Sequence, residues 1–190
     1  HHTLFTVASH AHDGYIDNPD GFKAQIIPVL EALDVDVVLQ GHDHVYCRTY
    51  MMDGTTPITD SPKYEYGNGT NKAPTAVNDT GEILYVTANS GSGSKNYGIL
   101  NETFDYSAVQ NQNDKANASK VTVSDDQFTI TTYCTSDMSV VDSFTIKRTA
   151  SESLQGNGTE ASPYKISTAD ELVFAATQMN AGNAAYTGKY

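Results

Sequence analysis

The sequence predicts an α/β domain, and three observations support it. A stretch of helical period, residues 20–33, runs into a short β-branched segment, VDVVLQ at 35–40. A second apolar run, GEILYVT, empties into the small-residue loop ANSGSGS. Two alternating segments, SKVTVSDDQFTITTY and SVVDSFTIKR, read as neighbouring antiparallel strands.

In chain order, residues 3–9 suit the end of a strand and the loop after it. HAHDGYIDNPDG is polar and rich in turn formers, so it is expected as loop. Phe22, Ile26, Val29, Leu30 and Leu33 then recur at helical spacing, with Asp20 placed to cap the helix and Pro28 placed to kink it or delay its start. VDVVLQ suits a strand buried on both faces. Residues 53–80 and 100–118 show no clear period and are expected as loops. A Ser-Asp-Asp turn interrupts the first of the two alternating segments. Past residue 149 the composition turns to Ser, Gly and Thr, which predicts a linker over 150–162. Thr168 to Glu171 then forms a capping box before a helix with Leu172, Ala175, Ala176 and Met179 on one face, and Gly182 is placed to stop it. One helix and a short tail cannot bury a core, so residues 163–190 are expected to begin a second, truncated module.

The formal net charge is −12. So acidic a surface repels nucleic-acid backbone and anionic lipid, and neither is expected as a partner. No apolar run reaches the length of a membrane span. The two cysteines, Cys47 and Cys134, form no framework and are expected as unpaired thiols.

All six histidines, His1, His2, His10, His12, His42 and His44, lie in the first quarter of the chain. Neutral imidazole is the commonest protein ligand for transition metals, so the clustering suggests a cation site. His42 and His44 follow a buried strand and a glycine. On an extended backbone, alternate residues share a face, which would aim both rings at one point. Gly41 would permit close backbone approach to an ion. Alone, His-x-His fits a pair of hydrogen-bonded loop histidines equally well.

The longer string decides more. Gly41-His42-Asp43-His44-Val45-Tyr46-Cys47-Arg48 resembles the last metal-binding block of the calcineurin-like metallophosphoesterases, in the form found in purple acid phosphatases. His1-His2-Thr3-Leu4-Phe5 resembles the block before it. The resemblance spans residues 1–149. It implies the C-terminal half of a metallophosphoesterase β-sandwich flanked by helices, with His1 and His42 on one metal and His44 on the other. His10 would contact the phosphate or protonate the leaving group, with His12 as its substitute. Arg48 matches a residue of that block whose role the resemblance does not fix, and it is expected to pair with an acid near the site. The implied cofactors are two divalent or trivalent ions (Fe, Zn or Mn), and the implied substrate is a phosphate ester, attacked by metal-activated hydroxide.

The family's upstream blocks, D-x-H, G-D and G-N-H, are not in this chain. The resemblance therefore implies the C-terminal portion of an enzyme domain, not competent by itself. The segment GNGTEASPYKIST resembles the opening of repeat modules of bacterial surface proteins. That implies a secreted or cell-surface protein, attached through C-terminal modules; N-x-[ST] sequons at Asn68, Asn78, Asn101, Asn117 and Asn157 suit secretion. The rival expectation is a non-catalytic scaffold of the same fold serving surface adhesion.

Overall fold

The computed structural model describes residues 1–59, 64–65, 75–78, 81–124, 127–148 and 154–187. Two compact units divide the chain, His1–Lys147 and Arg148–Tyr190. The Ser-Asp-Asp turn at 125–126, the first residues of the linker range, and much of 60–80 lie outside the described residues.

In the first unit, α1 (Gly14–Asp17) and α2 (Phe22–Ala32) precede β1 (Val37–Gln40), β2 (Tyr46–Asp53) and β3 (Thr56–Pro57). Next come β4 (Tyr64–Glu65), β5 (Thr75–Asn78), β6 (Glu82–Thr87) and β7 (Ser107–Asn111). The strands β8 (Asn117–Val123), β9 (Gln127–Cys134) and β10 (Val140–Arg148) complete the element order. One sheet has the order β1-β6-β2-β3, with β7 also on β2; the other runs β4-β5-β10-β9-β8. The β1–β6 pair is parallel, so both strands deliver their carboxyl ends to the same edge.

Strand alternation builds the layers. Along β6, Leu84 and Val86 face one way and meet Tyr46, Met51, Ile130, Phe144 and Ile146, the core between the sheets. Ile83 and Tyr85 face the other way and pack with Met52, Ile27, Leu4 and Phe5, under α2 and the N-terminal segment. The order is helix, sheet, sheet. Between the sheets lies a charge. Arg48 on β2 is 1% exposed and its Nε donates to Asp142 on β10 at 2.5 Å. Its guanidinium also covers the Phe144 ring at 4.4 Å, and the Tyr46 hydroxyl donates to the same carboxylate at 2.8 Å. Arg48 does pair with an acid, but inside the sandwich rather than near the histidines as expected. Both cysteines are free and buried. Burial pushes the Cys47 thiol up to about 12.

Several elements differ from expectation. Residues 3–9 form no strand, and α1 stands in the expected loop. The N-cap of α2 is Gly21 rather than Asp20, without a side-chain cap, and Pro28 sits inside an uninterrupted helix. The buried face of α2 is Ile27 with Phe22 and Leu30, while Ile26, Val29 and Leu33 are exposed. Its C-terminus closes by a Schellman motif: Asp34, at φ 54°, donates to the Glu31 carbonyl and Val35 to that of Leu30. As an edge strand β1 is not buried on both faces, and Leu39 is 57% exposed. β7 forms within residues expected as loop, and β3 within 53–80.

In the second unit, Gln155 bridges Lys165 and Thr159 bridges Ser162, a small hairpin over residues the sequence assigns partly to the linker. Gly156 holds φ 100°, where any Cβ would collide with the Pro163 carbonyl. The α3 helix (Ala169–Asn180) carries the expected capping box between Thr168 and Glu171. It closes at Gly182, φ 71°, by the same Schellman pattern as α2. Of its expected apolar face, Ala175 is buried while Leu172 and Met179 are exposed.

Candidate active site

The carboxyl ends of β1 and β6 hold the site together through side chains. Gln40, at the end of β1, accepts the Leu4 amide at its Oε1 and donates from Nε2 to the Phe5 carbonyl (3.3 Å) and to Thr87 Oγ1 (3.2 Å). Thr87, at the end of β6, also donates to the Phe5 carbonyl at 2.6 Å. Tyr106 donates to the Thr6 carbonyl. Residues 3–8 are buried without belonging to a ladder, and these side chains stand in for one at Leu4, Phe5 and Thr6. The Gly41 amide donates to the His1 carbonyl at 3.1 Å, which sets the first residue beside the exit of β1.

His42 is the bend of that exit. The Asp43 amide donates back to the Gly41 carbonyl at 2.9 Å, and His42 between them has φ 72°. This is the rare, strained form of γ-turn, in a region that non-glycine side chains seldom occupy. The exit is therefore not extended, and the strand argument for pairing His42 with His44 does not hold. The left-handed residue is His42 and not Gly41, whose added Cβ would make only an ordinary 3.5 Å contact with the His1 ring.

The bend gathers rings. The His42 centroid lies 5.5 Å from that of His1, 4.3 Å from His2 and 4.3 Å from His10. His44 takes a different company: its ring is 5.2 Å from Tyr97, and its Nδ1 is 2.8 Å from the Lys95 carbonyl. Tyr97 stands between the two groups, 5.8 Å from His10. Three of the sequence-derived residues, His1, His10 and His42, thus gather in one region, and His44 lies beyond Tyr97. The structure does not bring His12 to it; that ring is mostly exposed, 2.8 Å from Glu102 and stacked on Phe104.

Electrostatics favour neutral imidazole at the centre. Burial, then the neighbouring His10 and His2, hold His42 below the usual histidine range. Asp43 is fully buried beneath the rings: its Oδ2 accepts from Thr6 (2.7 Å) and from the His10 amide (3.3 Å). Its Oδ1 has no hydrogen-bond partner and lies 3.9 Å from His10 Nε2. On the other side, His10 Nδ1 is 2.6 Å from Asp13. Hydrogen bonds from Tyr15 and then His10 hold the Asp13 carboxyl below its ordinary value, and the same contact pushes the Tyr15 phenol up to about 12.

Sequence reasoning missed His2, Asp43, Asp13, Tyr15 and Tyr97. Asp43 sat in plain view inside the His-x-His string, and Asp13 three residues past a candidate histidine. Tyr15 and Tyr97 carry no sequence signal.

The donor chemistry fits a transition-metal centre in part. His42 is held neutral, and the His44 Nδ1 bond to a carbonyl leaves Nε2 available, as in ligating histidines. Among the described residues, however, no three of His, Cys, Asp or Glu stand together in a way that would hold an ion. Nor is any described helix long and apolar enough to cross a membrane.

No protein-family profile matches the chain, and no curated protein does. Among solved structures it is similar to the purple acid phosphatase PPD1 from yellow lupin (Lupinus luteus) seeds. The TM-score is 0.60 and the identity 20%, over 78% of this chain and 24% of the lupin chain. This chain therefore spans about a quarter of that protein. The likeness is one of fold: the first unit's sandwich and flanking helices are a metallophosphoesterase-like α/β fold.

Proposed function

We propose that this chain supplies the histidine side of a phosphate-ester hydrolase centre, in which His1, His42 and His44 are metal ligands and His10 meets the phosphoryl group. The observation that carries the reading is the convergence of His1, His10 and His42, from separate segments, on the exit of β1. Such a centre would use two ions of the Fe, Zn or Mn kind, completed by carboxylates from elsewhere in the protein. When bound, the ions acidify a water and neutralise charge on phosphoryl oxygens. They also answer the problem set by a net charge of −12, which otherwise repels an anionic ester.

This chain's own residues have defined parts. His42, held neutral by burial, keeps a lone pair free for coordination. The Lys95 carbonyl fixes the His44 ring. His10 holds a proton at Nε2 for the departing oxygen. Export to the cell surface, with the second unit as part of an attachment array, belongs to the same proposal; exposed sequons at Asn101 and Asn157 support it, whereas Asn117 is buried.

The test is metal content and hydrolysis of p-nitrophenyl phosphate by the intact protein after chelation and reloading with Zn, Mn or Fe. His44→Ala and His42→Ala should each lower bound metal and reduce turnover at least a hundredfold. Full activity and full metal in His42→Ala would sink the reading. The non-catalytic scaffold is the second reading, favoured by the lack of a three-donor group among the described residues. It predicts no hydrolysis under any loading.

A further inference from the structure

We infer that Asp13 is the positioning residue of His10, so that the carboxylate and the imidazole act as one oriented pair pointing at the phosphoryl site. The inference rests on the hydrolase reading only for what His10 does; the orientation itself follows from geometry. Asp13 Oδ2 is 2.6 Å from His10 Nδ1, a distance at which the ring nitrogen carries the proton and donates it. An ionised carboxylate accepts only, so this contact selects the Nδ1–H tautomer of the neutral ring and leaves Nε2 facing inward. The Tyr15 phenol interacts with Asp13, and its ring packs against His2 at 5.4 Å and Phe22 at 5.6 Å.

A second, independent observation lies on the inward side. Asp43 Oδ1 is buried, without a hydrogen-bond partner, and 3.9 Å from His10 Nε2. Buried carboxylate oxygens rarely go unpartnered. Here the unused acceptor stands beside the nitrogen that would carry the transferable proton. The other oxygen of Asp43 accepts the His10 backbone amide. His10 thus stands between two carboxylate oxygens, one beside each ring nitrogen, and under the hydrolase reading a proton on Nε2 is the one placed for transfer. During ester cleavage that proton passes to the departing oxygen as its bond to phosphorus breaks, and the electron pair of the P–O bond stays on the oxygen. His10 is left neutral as the Nδ1–H tautomer that Asp13 already selects.

Two measurements test this. The first needs no turnover: long-range 15N–1H correlation spectra of the purified chain should report the neutral form of His10 as the Nδ1–H tautomer. Asp13→Asn should abolish that preference, and Asp13→Glu should restore it in part. The second is hydrolysis by the metal-loaded intact protein. Asp13→Asn should lower kcat by about tenfold to a hundredfold for alkyl phosphates, whose leaving oxygen needs a proton, and by less than about threefold for p-nitrophenyl phosphate, with KM unchanged. A tautomer that is the same in Asp13→Asn as in the parent overturns the inference, as does an equal loss on both esters. A wild-type protein that hydrolyses neither ester sinks the hydrolase reading instead, and the spectra alone then decide the positioning of His10.

Discussion

The N-terminal segment and the β8–β9–β10 ladder are both ordered, but opposite means hold them. In the ladder, neighbouring backbones satisfy one another along seven consecutive pairs between β8 and β9, so no single side chain is essential to the arrangement. Residues 3–8 have no ladder. The Leu4 amide ends on Gln40, the Phe5 carbonyl on Thr87 and the Thr6 carbonyl on Tyr106, partners 36, 82 and 100 positions away in sequence. A ladder is redundant; a side-chain clamp has single points of failure. The clamp in exchange lets an irregular backbone present His1 and His10 to one region, which a straight strand cannot do.

The contrast can be broken in graded steps. The largest effect is expected at the bond that joins the two sheets. Asp142→Ala strands the buried Arg48 charge and should cost roughly 3–5 kcal/mol in urea unfolding. A change under about 1 kcal/mol would mean that the guanidinium finds water. Next comes the clamp. Gln40→Ala orphans the Leu4 amide and removes donors from Phe5 and Thr87, and should cost about 2 kcal/mol. It should also accelerate amide exchange across residues 3–8 while leaving the β9–β10 amides protected. Loss of protection in both regions at once would erase the distinction drawn above.

Smaller still is a change on the ladder itself. Thr131→Val removes a hydroxyl pair with Ser143 (2.8 Å) and keeps the branched shape, so the expected cost is under about 1 kcal/mol in thermal unfolding. The smallest effect is electrostatic and sits in the turn between β9 and β10. The Ser139 hydroxyl, then its amide, then Lys115 hold Asp137 well below the ordinary carboxylate value of 3.8. A depressed folded pKa means that the unfolded chain binds the proton more tightly. The stability is thus present above 3.8 and is lost as pH falls through the lowered folded value. By NMR titration, Ser139→Ala should move the Asp137 midpoint up towards 3.8; an unmoved midpoint would assign the shift to the Ser139 amide and Lys115.

What could be read from the sequence follows from how local its cause is. The α3 capping box and the Gly182 stop are decided within five residues, and both stand as expected. The α/β layering was legible because β1 and β6 are apolar runs of strand length. The face of α2 was not. Its apolar residues cover a broad arc of the helix, and only the position of the sheet chooses which of them are buried. β2 was hidden because an arginine interrupts its apolar pattern and its partner acid lies 94 residues on. At the site, the histidine strings pointed to His1, His10 and His42 but equally to His12, which stands apart, and they gave no sign of the left-handed turn at His42 that gathers the rings. The Asp13 contact was local enough to be seen, and was passed over because residues 10–21 looked like uncommitted loop.

The outward stripe of α2 has a consequence for anyone handling this protein. Ile26, Val29 and Leu33 present an oily ridge on a molecule whose like charges otherwise keep copies apart. Added electrolyte shortens the reach of that repulsion to about 10 Å at 0.1 M, while the ridge is unaffected. Dilute buffer should therefore keep preparations clear, and brine should turn them cloudy.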